Sequence, residues 1–352
     1  MNLEPELFLE HVIPKTPYFL DVAKKINADH RRSSILGFIG SFPTLFPSAR
    51  ALLISNINDL VPFLCNSDAM DQHYTLNILE DLAEEEPTSK PLILECLQAI
   101  FTLRPDYHGV TSHEMEAAAS AIAAFESTLL WGRGQCKKLF VQAGAVAYTL
   151  STISAPSKSL RRAGQSCMQQ LFNADSELDD ESSKVEGTSD LKGNIVRAFI
   201  QSLKDEDLEV AGAAAEFLQG DGGDQAKPIF LKDPTAMIPL MLLLAKKPPK
   251  LVGVSCEWAL MKYTDGETAD AVVSAFRSIW EDGDILTETK FKIIVGLADS
   301  FVDLRLAALK GGLCEFLLGL TGDGERRIEA MVGLFSCGLL FLLVSFRLFW
   351  IG

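Results

Sequence analysis

The sequence of 352 residues has few of the residues on which most catalytic and metal sites depend. Its histidines occur only at positions 11, 30, 73, 108 and 113, so residues 114–352 contain no imidazole base. It contains no G-x-S-x-G nucleophile elbow, no phosphate-binding loop, no H-E-x-x-H zinc motif and no dinucleotide fingerprint. We therefore predict that the protein is not an enzyme and uses no cofactor or metal.

Closely spaced cysteines are also absent. The seven cysteines, at 65, 96, 136, 167, 256, 314 and 337, are never closer than 23 residues, which excludes a zinc knuckle and any C-x-x-C redox pair. Each cysteine lies in an apolar helical pattern, as expected for buried, reduced thiols. The N-terminus lacks the basic start and apolar run of a signal peptide, and no N-x-S/T sequon occurs. We predict a cytoplasmic or, alternatively, nuclear protein.

Positive charge is scarce: 32 lysines and arginines stand against 47 aspartates and glutamates, giving a net charge of −15. This balance argues against contact with a phosphate backbone, so no nucleic-acid partner is expected. The acidic excess favours basic protein partners through electrostatic steering, and it serves solubility equally well. The 48% hydrophobic residues are sufficient for a substantial core.

No sustained period-two alternation appears, whereas apolar residues recur every three or four positions, as in Ile78, Leu79 and Leu82. Short polar or proline-containing breaks, such as Glu85-Glu86-Pro87, separate candidate helices of about 12 to 18 residues. This pattern predicts an all-α chain.

One helix type recurs with small residues at its centre, starting at Met70, Met115, Leu160, Leu208 and Leu251. The interval is close to 45 residues, and each copy follows an apolar helix and a short break. Such periods are typical of armadillo and HEAT repeats, whose units bury a core only by stacking. We predict a right-handed armadillo/HEAT-like helical solenoid over residues 1–329. Its small centres, such as Ala163-Gly164, would let neighbouring helices approach closely.

Two segments break the repeat pattern. Residues 173–190 carry seven acidic residues and almost no apolar side chain, which predicts an acidic loop. Residues 330–346 contain no charge, and the apolar segment 330–352 is compatible with a membrane anchor, a buried helix or an unselected tail. We expect a membrane contact only through 330–352, and we expect this segment to add nothing to partner binding.

The segment from Gly134 to Val146 resembles an armadillo segment in which one helix ends near Ala-Gly and the next begins with small apolar residues. The segments 233–263 and 301–310 resemble the proteasome non-ATPase regulatory subunit 5 family, which consists of chaperones for assembling the base of the 26S proteasome. This resemblance implies a helical solenoid that clasps the C-terminal domain of a proteasomal ATPase subunit.

The residues therefore predict a non-catalytic protein-binding scaffold. The candidate partner-binding positions flank the small-residue stripe of successive repeats: Arg161, Arg162, Gln165, Glu209, Glu216, Glu257 and Lys262. The alternative is an armadillo-type adaptor for nuclear transport, which would need tryptophans each followed at four residues by asparagine. The tryptophans at 131, 258, 280 and 350 do not meet this condition.

Overall fold

The computed structural model describes residues 9–26, 29–64, 68–101, 110–131, 134–173, 190–245, 253, 255–256, 259–260, 269–285, 289–290 and 293. These residues form helices and connecting turns, and no strand occurs among them. The α-helices are α1 (Thr16–Lys25), α2 (Asp29–Gly40), α3 (Phe42–Leu45), α4 (Pro47–Ser55), α5 (Val61–Leu64), α6 (Ala69–Glu85), α7 (Lys90–Ile100), α8 (Ser112–Trp131), α9 (Gly134–Gln142), α10 (Ala145–Ser151), α11 (Lys158–Asn173), α12 (Leu191–Ser202), α13 (Leu208–Gln219), α14 (Gly223–Lys232), α15 (Ile238–Ala245) and α16 (Ala269–Glu281).

Side chains cap the N-termini of three of the longer helices. Asp68 accepts bonds from the first N–H groups of α6, and Asp207 does the same for α13. At the start of α8, the Thr111 N–H donates to Glu114 at 2.7 Å, and the Glu114 N–H donates to the Thr111 hydroxyl at 3.3 Å. This reciprocal pair is a capping box, and the Thr111 N–H bond lowers the pKa of Glu114.

The chain divides into two compact units, Met1–Ile195 and Val196–Gly352. In the first unit, the helices α2, α6, α8 and α11 pack one against the next, and we call them the second-helix row. The shorter helices α9 and α10 pack beneath this row, with α9 against α6 and α8 and α10 against α11. Aromatic residues fill the space between these layers, including Phe125 and Phe140, whose rings stack at 5.4 Å.

Some repeats contain three helices. Between α8 and α11, the segment that resembles an armadillo repeat forms α9 and α10, separated by a sharp turn at Gly144. Gly144 has φ = 91°, a left-handed conformation that is costly for a residue with a side chain. The following short 3₁₀ helix, Thr152–Ser154, leads into α11.

The second unit also consists of helices packed on one another. Within it, α13 packs on α14, and the 3₁₀ helix Pro234–Met237 contacts α14, α15 and α16. Lys290 caps the C-terminal end of α16. Its ammonium group donates hydrogen bonds to the carbonyl oxygens of Trp280 (2.8 Å) and Asp282 (2.6 Å). Lysine is favoured at this position, where the last carbonyls of a helix lack partners.

The predicted all-α, armadillo/HEAT-like helical-repeat fold is confirmed by this packing. The small-centred segments predicted at Met70, Met115, Leu160 and Leu208 all lie in helices, and those in the first unit stack successively. The handedness of the stack and the extent of the array over 1–329 stay predictions. Most of the acidic loop (174–189) and the whole of the apolar tail (330–352) lie outside the described residues.

Candidate interaction surface

The small centre of α11 makes the close helix contact that the sequence predicts. A Cβ atom added to Gly164 would lie 1.8 Å from the hydroxyl oxygen and 2.9 Å from the Cβ of Thr152. It would also lie 3.5 Å from the carbonyl oxygen of Thr149. Since real Cβ contacts are essentially never shorter than 3.0 Å, the absence of a side chain at Gly164 allows α11 to reach the chain segment beneath it.

Buried polar bonds join successive helices of the second-helix row. Asp71 on α6 is completely buried, and its carboxylate accepts bonds from the guanidinium of Arg32 and, at 2.8 Å, from the hydroxyl of Ser33, both on α2. The next residue, Gln72, donates to the carbonyl oxygen of Ser120 on α8 at 3.0 Å. Two adjacent residues of α6 thus hold the helices on both sides of it.

A third bond continues this series, because the hydroxyl of Ser166 on α11 donates to the carboxylate of Glu126 on α8 at 2.5 Å. The outer residues of the row are exposed or half-exposed, and most are small or polar. We call these residues the second-helix face: His73, Asn77, Ser120, Ala123, Glu126, Ser127, Arg162, Ser166 and Gln169. Three of the four face residues on α8, Ser120, Ala123 and Ser127, have short side chains.

The three candidates on α11 have different environments. Arg161 is half-buried, and its guanidinium donates to the carbonyl oxygens of Ala155 (2.8 Å) and Pro156 (3.1 Å), so it holds the turn that enters α11. Arg162 is exposed and belongs to the second-helix face. Gln165 is only 4% exposed and lies within the helix packing. A contact between a partner and any of the three stays a prediction.

The remaining candidates belong to the second unit. Glu209 and Glu216 are both exposed and lie seven residues apart on α13, which is two turns along one helix face. Glu257 and Lys262 lie outside the described residues, as does Trp258. The structure therefore brings Glu209 and Glu216 to one face and leaves the third predicted group open.

Sequence reasoning missed the polar pair formed by Asp71 and Gln72. The available signal was their position: both follow the capping residue Asp68 by one turn, at the start of the helix. Only the packing of α2 and α8 on α6 shows that the two side chains point to different neighbours.

Within the ranges that the structure describes, no group of three or more histidine, cysteine, aspartate or glutamate side chains could hold a metal ion. The same residues contain no helix that is long and apolar enough to cross a membrane. The four described cysteines, at 96, 136, 167 and 256, are buried and form no disulfide.

No protein-family model and no curated protein matches the chain. Solved structures that are similar to it include an engineered protein with 17% sequence identity and a TM-score of 0.37, with 69% of this chain and 98% of the other covered. A designed armadillo repeat protein in complex with the peptide (KR)4 has 14% identity and a TM-score of 0.29, with 80% of this chain and 98% of the other covered.

Computationally designed armadillo repeat proteins for modular peptide recognition are similar at 13% identity and a TM-score of 0.30, with 79% of this chain and 98% of theirs covered. All three TM-scores are below 0.5. The fold assignment therefore rests on the helix packing within each unit.

Proposed function

We propose that the protein is a non-catalytic scaffold that binds another protein along the second-helix face. The observation that supports this proposal is the arrangement of that face: polar bonds, buried between α2 and α6 and exposed between α8 and α11, join α2, α6, α8 and α11 to one another and leave small and polar side chains outside. Stacked helical repeats provide extended surfaces of this kind, which suit long contacts with a protein partner. The net charge of −15 favours a partner with basic segments.

Within this class, we propose an assembly chaperone for the base of the proteasome regulatory particle as the first role to test. The support is that segments 233–263 and 301–310 resemble the proteasome non-ATPase regulatory subunit 5 family. This resemblance implies that the partner is the C-terminal domain of an ATPase subunit. We also propose a cytoplasmic or nuclear location, since the described cysteines are buried and form no disulfide, as suits a reducing compartment.

A nuclear-transport adaptor is the weaker candidate. Peptide recognition in that class depends on tryptophans exposed on the groove helices, and Trp280 is only 5% exposed. Its ring lies against Phe276 at 5.9 Å, so it belongs to the core of the second unit.

Co-purification of the full chain from cells, followed by identification of the bound proteins, tests the proposal. Two matched variants locate the contact: Ala123→Arg places a long cation on the second-helix face, and Ala147→Arg places the same group on the exposed side of α10. We expect Ala123→Arg to lose the partner and Ala147→Arg to retain it. Loss in both variants, or in neither, would contradict binding through the second-helix face.

The apolar segment 330–352 needs a separate test. We propose that it takes no part in partner binding and lowers solubility, so a chain that ends after Glu329 should show a higher soluble yield and an unchanged pull-down. A full chain that stays in the membrane fraction while the shortened chain is released would instead establish a membrane anchor.

A further inference from the structure

We draw no further inference here: the strongest candidate, the exposed aromatic surface patch that Tyr18 and Phe38 form around Phe19 on helices α1 and α2, carries nothing, because nothing in the described part of the structure shows what covers it.

Discussion

The close contact at Gly164 makes a quantitative prediction about stability. In Gly164→Ala, the new methyl group would lie 1.8 Å from the hydroxyl oxygen of Thr152, a residue that is completely buried. The hydroxyl of Thr152 cannot move without cost, because it donates to the carbonyl oxygen of Thr149 at 2.6 Å. Threonine is also restricted to few χ1 rotamers by its branched Cβ.

The expected destabilisation follows from three contributions. Displacing α11 or Thr152 in a packed interior costs about 1–3 kcal/mol. Breaking the buried Thr152 hydrogen bond would cost a further 1 kcal/mol, roughly. The replacement of glycine by alanine within a helix returns about 1 kcal/mol through the unfolded chain. The sum predicts that Gly164→Ala lowers the free energy of unfolding by about 1–3 kcal/mol.

Two glycines of α2 provide matched controls. A Cβ atom at Gly40 would lie 3.7 Å from Ile78, which is an ordinary contact, so Gly40→Ala should leave stability unchanged or raise it. A Cβ atom at Gly37 would lie 3.1 Å from the ring of Tyr74, which must shift by a few tenths of an ångström, so Gly37→Ala should fall between the other two.

Urea unfolding followed by far-UV circular dichroism measures all three variants, together with Thr152→Ala and the double variant Gly164→Ala/Thr152→Ala. Removing the Thr152 hydroxyl relieves the shortest contact. The double variant should therefore lose about 1 kcal/mol less free energy of unfolding than the two single losses added together. Additive effects, or a Gly164→Ala variant as stable as Gly40→Ala, would refute the close approach of α11.

Three further predictions concern other parts of the molecule. Asp71→Ala should cost about 3 kcal/mol in urea unfolding, because it leaves the guanidinium of Arg32 buried without its carboxylate; Asp81→Ala, on the exposed side of the same helix, should cost less than about 1 kcal/mol. Burial raises the pKa of three thiols, so each stays neutral in the folded protein at a pH where the unfolded chain ionises: Cys96, Cys136 and Cys167. The stability that these neutral thiols contribute should be constant below their ordinary pKa of 9.0 and should fall as the pH rises through it. Labelling of these thiols in the native protein at pH 8 should be slow, and rapid labelling would contradict their burial. Deletion of 176–189 should leave cooperative unfolding intact, since this acidic segment has little apolar surface to bury; loss of cooperativity would show that it is structural.

The sequence by itself determined the fold class and the repeat. Apolar spacing of three and four residues is a local consequence of helix geometry, and the small-centred segments recur because each repeat must present the same surface to its neighbour. Helix starts were readable for the same reason: Asp68 and Asp207 cap backbone groups only two or three residues away.

The tertiary structure decided which polar residues remain available to a partner. From the sequence, Arg161 and Gln165 flank the apolar stripe of α11 just as Arg162 does. In the folded protein, however, Arg161 donates to the carbonyl oxygen of Ala155 in the turn before α11, and Gln165 is only 4% exposed. Likewise, only the packed structure shows that Asp71 of α6 bonds to a residue of α2. Periodicity fixes the directions of side chains around one helix, whereas burial at the edge of a stripe depends on how close the next helix comes, and that distance is set by residues far away in the chain.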